Sequence, residues 1–128
     1  MIVKMNSVTK KPRVICVKVS VLRAGCPCCG KRFETLEEWM KIPEHVYVGR
    51  RVVYVNGTFD SPFRNPFAVT KTRSRSQAIA EFEKYLESDP ALVARVKEEL
   101  SGKTLGCWCA PEACHGDVLA NMAQCNGL

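Results

Sequence analysis

Three cysteines, a histidine and two acids stand within eleven residues near the end of this chain, in Cys107-Trp108-Cys109-Ala110-Pro111-Glu112-Ala113-Cys114-His115-Gly116-Asp117. Cys107 and Cys109 are two apart, so on a strand both point to the same face. Cys114 and His115 fall where the next helix is expected to begin. The first turn of a helix has unpaired N–H groups that hold anions and lower the pKa of a nearby thiol. Cys107 and Cys114 are therefore candidate nucleophiles, and His115 is a candidate base or phosphate donor. Asp117 could orient His115 or take a ribose hydroxyl, and Gly116 offers its backbone N–H to a phosphate. The simpler roles are packing for the thiols and, for Asp117, support of the first helical turn through the dipole. Three thiolates and an imidazole are also an accepted zinc set, although the adjacent Cys114 and His115 converge on one ion less easily than spaced pairs.

A second cluster lies at Cys26-Pro27-Cys28-Cys29-Gly30-Lys31. Cys26 and Cys29 have the C-x-x-C spacing of half a zinc ribbon, and Gly30 permits the tight turn. Zinc is the expected cofactor. Cys26 and Cys29 are its ligands, and the set is completed from His45, Cys16, Cys28 or a cysteine of the terminal motif such as Cys109. A third group interleaves Arg50, Arg51, Arg64, Lys71, Arg73 and Arg75 with Tyr47, Tyr54, Phe63 and Phe67. Phosphate contact with base stacking is one use of such a zone. The plain alternative is solvated arginines over aromatics that belong to the core.

The elements that must position these groups follow from pattern. Arg13 to Leu22 is rich in β-branched residues and partly alternating, which predicts a strand with Cys16 as a buried thiol. Thr35 and Glu38 make a capping box ahead of Leu36, Trp39 and Met40, so a short helix follows and Pro43 ends it. Val46 to Val55 is strongly β-forming. Gly49 within it marks a turn, a bulge or a close backbone approach, and Asn56-Gly57 marks a turn. Residues 58–75 read as a long irregular loop, a length that suggests function. Helices are expected over Ser76–Ser88 and, after an Asp89 cap with Pro90 at its first position, through Leu100. Thr104–Cys109 reads as a buried strand and Gly116–Met122 as a final helix, with Trp108 turned toward the core. The order predicts a small α/β fold, a partly parallel sheet flanked by helices, with the cysteine knuckle as an N-terminal extension. Residues 1–45 would hold the basic strand, knuckle and short helix, and 46–128 the α/β core. Ligands of open α/β sheets gather beyond the carboxyl ends of strands, which places the Cys107–Asp117 loop there.

A chain of 128 residues suits one modest core. No apolar run approaches a membrane span and no secretory leader is evident, so an intracellular setting with reduced thiols is expected. The net charge of +6 is polarised. Residues 1–33 carry eight Lys or Arg and no acid, while 41–75 carry seven basic residues against Glu44 and Asp60. That distribution suits contact with phosphates, or else a solubilising tail beside ordinary surface charge.

Three pieces of the chain carry a family resemblance: Val46-Tyr47-Val48-Gly49-Arg50, Asn65-Pro66-Phe67, and the complete run from Cys107 to Asp117. Over about residues 46–122 they resemble the family known as domain of unknown function 4326, found in bacteria, phages and large DNA viruses. Arg64 stands where that family usually has glycine, and the Cys26–Cys29 knuckle lies outside the shared part. The resemblance implies a fold and a site location, marks Arg50 and Asn65, and carries no reaction with it. The expected function is binding or modification of a phosphate-bearing ligand, a nucleotide or nucleic acid, at the loop after the last strand. Arg50 would contact phosphate, Asn65 would position the ligand with Arg64 and Gly116 beside it, and His115 with Cys107 or Cys114 would do any chemistry. The competing expectation is a zinc-stabilised, non-enzymatic nucleic-acid-binding or viral-particle protein.

Overall fold

The computed structural model describes residues 12–27, 29–53, 55–108 and 113–124. In chain order these form β1 (Arg13–Cys16), α1 (Val19–Ala24), α2 (Leu36–Met40), β2 (His45–Tyr47), α3 (Arg75–Glu87), α4 (Pro90–Glu99), β3 (Thr104–Cys107) and α5 (His115–Gln124). The strands make one sheet in the order β1-β3-β2, and both pairings are parallel. Cys16 pairs in register with Cys107, and Tyr47 with Gly106. The protein is thus a small α/β fold, as its pattern predicts, and β1 pairs directly with β3 from near the other end of the chain.

A parallel sheet must be covered on both faces. Leu105 and Cys107 of the central strand enter one core with Phe82 and Leu86 of α3, Val96 of α4 and Leu119 of α5. Ile15 and Tyr47 enter the other with Leu22 of α1 and Leu36 and Trp39 of α2. Gly106 lies on that second face, where a Cβ atom would come within 2.8 Å of the Trp39 ring. The helix signals read from the sequence hold. The Thr35 hydroxyl accepts the Glu38 N–H, and the Asp89 carboxylate accepts the Leu92 N–H ahead of Pro90. A full capping box at Ser74 and Gln77 starts α3, a signal the sequence reading passed over.

Two strands are shorter than their β-propensity predicts. The first ends at Cys16. After one more sheet bond, from Val17 N–H to the Cys107 carbonyl, the chain turns into α1, with the Val21 and Leu22 N–H groups on the Lys18 carbonyl. Helical placement drives Leu22 into the Trp39 core, and that burial outweighs local preference. The second ends at Tyr47, since its partner β3 is only four residues long. Beyond it, backbone N–H groups are satisfied by side chains: Arg51 by the Asp60 carboxylate and Val52 by the Thr58 hydroxyl. No helix among the described residues is long and apolar enough to cross a membrane.

Candidate functional site

Because the three strands run in one direction, their carboxyl ends share one edge of the sheet. There β2 continues into Val48-Gly49-Arg50, β3 into Trp108, and α5 begins at His115. A cavity of about 400 Å³ opens at this edge. It brings together Arg50, Asn65, Cys107, Cys114 and His115, residues that are as many as 65 positions apart in sequence. Arg51 and Arg75 add positive charge, and no acid is found among the described lining residues. Phe67, Ile79 and Trp108 give the same cavity an apolar wall.

Arg50 is held from two sides. Its backbone carbonyl accepts the Tyr47 hydroxyl, which in turn accepts the Trp108 indole N–H at 2.8 Å. Its Nε donates to the Asn65 carbonyl at 2.9 Å. The terminal guanidinium nitrogens have no partner among the described residues and remain available to an anion. Burial pushes the Tyr47 phenol pKa up, so the hydroxyl keeps the proton it donates. The sequence places Trp108 in the core and leaves Tyr47 between a stacking role and the core, where it lies. Trp108 is half-buried and joins this support, a role that no local pattern signals because it depends on pairing across two strands. Gly49 allows the arrangement by close approach: a Cβ there would sit 2.5 Å from the Tyr47 hydroxyl oxygen and 2.7 Å from ring carbon Cζ. A Gly49→Ala chain is therefore expected to displace the Tyr47 ring and lose about 1–3 kcal/mol of stability. Urea unfolding measures that loss, and an unchanged midpoint would contradict the packing described.

Asn65 works through its neighbours. Its Oδ1 accepts the Phe67 N–H at 2.8 Å and its Nδ2 donates to the Ala78 carbonyl at 3.3 Å, so the side chain pins the loop to α3 while its carbonyl aims Arg50. Arg64 instead donates to the Ser61 carbonyl and lies outside the cavity lining. Gly116 is buried against β1, where a Cβ would come 2.9 Å from Val14. Asp117 accepts the Cys114 backbone N–H at 3.0 Å, the reach-back half of a capping box at the start of α5. Asp117 thus supports the first helical turn, as its simpler reading expects, through a side-chain hydrogen bond as well as the dipole.

The His115 Nε2 donates to the Val48 carbonyl at 2.8 Å, since a carbonyl only accepts, and this ties α5 to the end of β2. The ring packs edge-on against Phe82. Burial, helped by the nearby Arg50 charge, pushes its pKa below the ordinary 6.5, while the Val48 and Phe63 backbone groups oppose the shift. Unfolding therefore takes up a proton in acid. The stability that neutral His115 contributes is complete above about pH 6.5 and is lost as the pH falls below it. Between about pH 7 and pH 5, a His115→Gln chain is expected to show a flatter dependence of urea midpoint on pH than the wild type. Identical slopes would remove His115 as the titrating group.

Cys107 and Cys114 meet with their sulfurs 3.2 Å apart, both almost fully buried. The hydrogen bond with Cys107 pushes the Cys114 pKa well above the ordinary thiol value, and burial adds to it. Cys114 therefore keeps its proton, although it sits at the helix start expected to acidify it. The sulfur separation is shorter than the roughly 3.8 Å between two thiolates on a tetrahedral zinc with bonds of about 2.3 Å. Cys26 and Cys29 belong to the opposite side of the sheet. Cys26 is buried and accepts the Trp39 indole N–H at 3.3 Å, while Cys29 is exposed. Cys28 and Cys109 lie outside the described residues. Among the described residues, no three of His, Cys, Asp or Glu gather as a metal-binding group.

A family model described as "Domain of unknown function (DUF4326)" matches residues 32–125. Comparison with curated proteins and with solved structures finds no match.

Proposed function

This chain belongs to the DUF4326 family, and we propose that it binds a nucleotide-like phosphate ester in the cavity at the ends of β2 and β3. The observation that supports this is the cavity's composition. Three arginines and no described acid line the same space as Phe67, Ile79 and Trp108. Positive charge with oriented donors suits a phosphate, and an apolar aromatic wall suits a base. The cavity's volume of about 400 Å³ suits a small ligand such as a mononucleotide. In this reading Arg50 and Arg51 take the phosphate, while Asn65 and His115 hold the backbone that presents them. Cys107, beside the protonated Cys114, is the group in the lining that could attack a bound ligand. Isothermal titration with a nucleoside monophosphate, the matching nucleoside and inorganic phosphate tests the binding. The expected order of affinity puts the monophosphate first, with binding that weakens as salt rises. Equal weak binding of all three would overturn the reading. Phosphorus NMR of the bound nucleotide, in the wild type and in Cys107→Ser, tests for turnover.

One observation favours a zinc-stabilised module instead. The Cys29 and Gly30 N–H groups both turn back onto the Cys26 carbonyl, at 3.2 and 2.7 Å, and Gly30 takes a positive φ, the kind of turn a metal knuckle uses. Native mass spectrometry of the intact chain and of a Cys26→Ser/Cys29→Ser variant decides it. Zinc bound to the first and absent from the second assigns the knuckle, and no zinc in either removes this alternative.

A further inference from the structure

The contact between Cys107 and Cys114 has a consequence that nucleotide binding does not require. The two sulfurs belong to different elements, the end of β3 and the residue before α5, and lie 3.2 Å apart within the core. Both residues nevertheless line the cavity, so a small reagent can reach thiols that are otherwise covered. Closing a disulfide needs the sulfurs to approach to about 2.05 Å, a movement of roughly 1.2 Å that side-chain rotation can supply. A buried pair in contact, opening onto a solvent-connected space, is the arrangement in which dithiol exchange is both possible and restricted to small oxidants.

We propose that Cys107 and Cys114 form a redox couple, oxidised to a disulfide by small-molecule disulfides that enter through the cavity. Cys107 gives its proton to solvent, and the thiolate attacks one sulfur of the oxidant, breaks its S–S bond and releases a thiolate that takes up a proton, leaving a mixed disulfide on Cys107. Cys114 then gives its proton to solvent, and its sulfur attacks the Cys107 sulfur. The protein disulfide forms and the second thiol of the oxidant leaves. The protein gives up two electrons and two protons, and the oxidant is reduced to two thiols. The product joins the end of the central strand to the cap of α5 across the wall of the cavity.

The test uses the full reduced chain and bis(2-hydroxyethyl) disulfide, read by intact mass and by peptide mapping without reduction. The wild type is expected to lose the mass of two hydrogens, with the crosslink mapped to Cys107 and Cys114. A Cys114→Ser chain is expected to stop at the mixed disulfide on Cys107 and to retain roughly tenfold more adduct than the wild type. Differential alkylation of the wild type alone gives a second readout should the variant fail to fold: Cys107 and Cys114 must lose reactivity together. A crosslink to Cys16 or Cys109, or an adduct on Cys107 that the wild type never resolves, would overturn the proposal. So would thiols that stay reduced in excess oxidant. None of these results depends on whether a nucleotide binds.

Discussion

An Arg50→Gln chain is expected to fold normally and to bind the nucleotide monophosphate roughly 10–100-fold more weakly than the wild type. The magnitude comes from a charged hydrogen bond being worth about 1.5–3 kcal/mol, with each 1.4 kcal/mol a factor of ten. The fold is spared because Arg50 is exposed and the support around it runs through its backbone. The Tyr47 hydroxyl bonds its carbonyl, and glutamine keeps that carbonyl. The side chain loses its Nε bond to the Asn65 carbonyl, which is itself held by the Asn65 contacts to Phe67 and Ala78. An Arg50→Lys chain separates charge from geometry. It keeps the cation but not the planar fork that grips two phosphate oxygens, so an intermediate affinity is expected. Calorimetry on the three proteins, with urea unfolding as the control for folding, checks the series. Equal affinities in wild type and Arg50→Gln would mean that the anion sits elsewhere, and the cavity would lose its assigned role.

The largest loss of stability is expected at Gly106. Replacing it with alanine should cost about 3 kcal/mol, a large share of the 5–15 kcal/mol that holds a domain of this size together. Gly106 is the third of four residues in the central strand, flanked by β1 on one side and β2 on the other. A Cβ there would come 2.6 Å from Val17 Cγ1 and within 2.9 Å of two Trp39 ring carbons. Neither neighbour can retreat easily. Val17 and Trp39 are both fully buried, and the Trp39 indole is tied to Cys26. Interiors packed to this density answer an added methyl with strain. The mechanism has its own control. Shrinking the ring with Trp39→Leu opens the space, so the Gly106→Ala/Trp39→Leu double variant should be less destabilised than the two single losses added together. Strict additivity in urea unfolding would show that the strain arises somewhere other than this contact.

The sequence by itself determined the class of fold and most of the helices, and it marked several of the residues that line the cavity. Ser74, Asp89-Pro90 and Thr35 with Glu38 are local signals, since a cap bonds within its own turn and needs no distant partner. The start of α5 beside Cys114 was legible for the same reason, as was the support that Asp117 gives to its first turn. Tertiary structure alone decided where the strands stop, because strand length depends on the partner. Val19–Ala24 and the stretch after Tyr47 are β-forming, but the four residues of β3 give them no ladder to extend. It also decided which of the marked residues share the cavity. Arg50 and Asn65 meet the cysteines and His115 because parallel pairing stacks the carboxyl ends of β2 and β3, whereas Arg64 bonds its own turn and Gly116 faces β1. The protonation states of Cys114 and His115 belong to the same category. Both are set by burial and by groups outside their own turn, Cys107 seven residues from Cys114 and the Arg50 charge beyond β2 near His115, and no spacing rule encodes them.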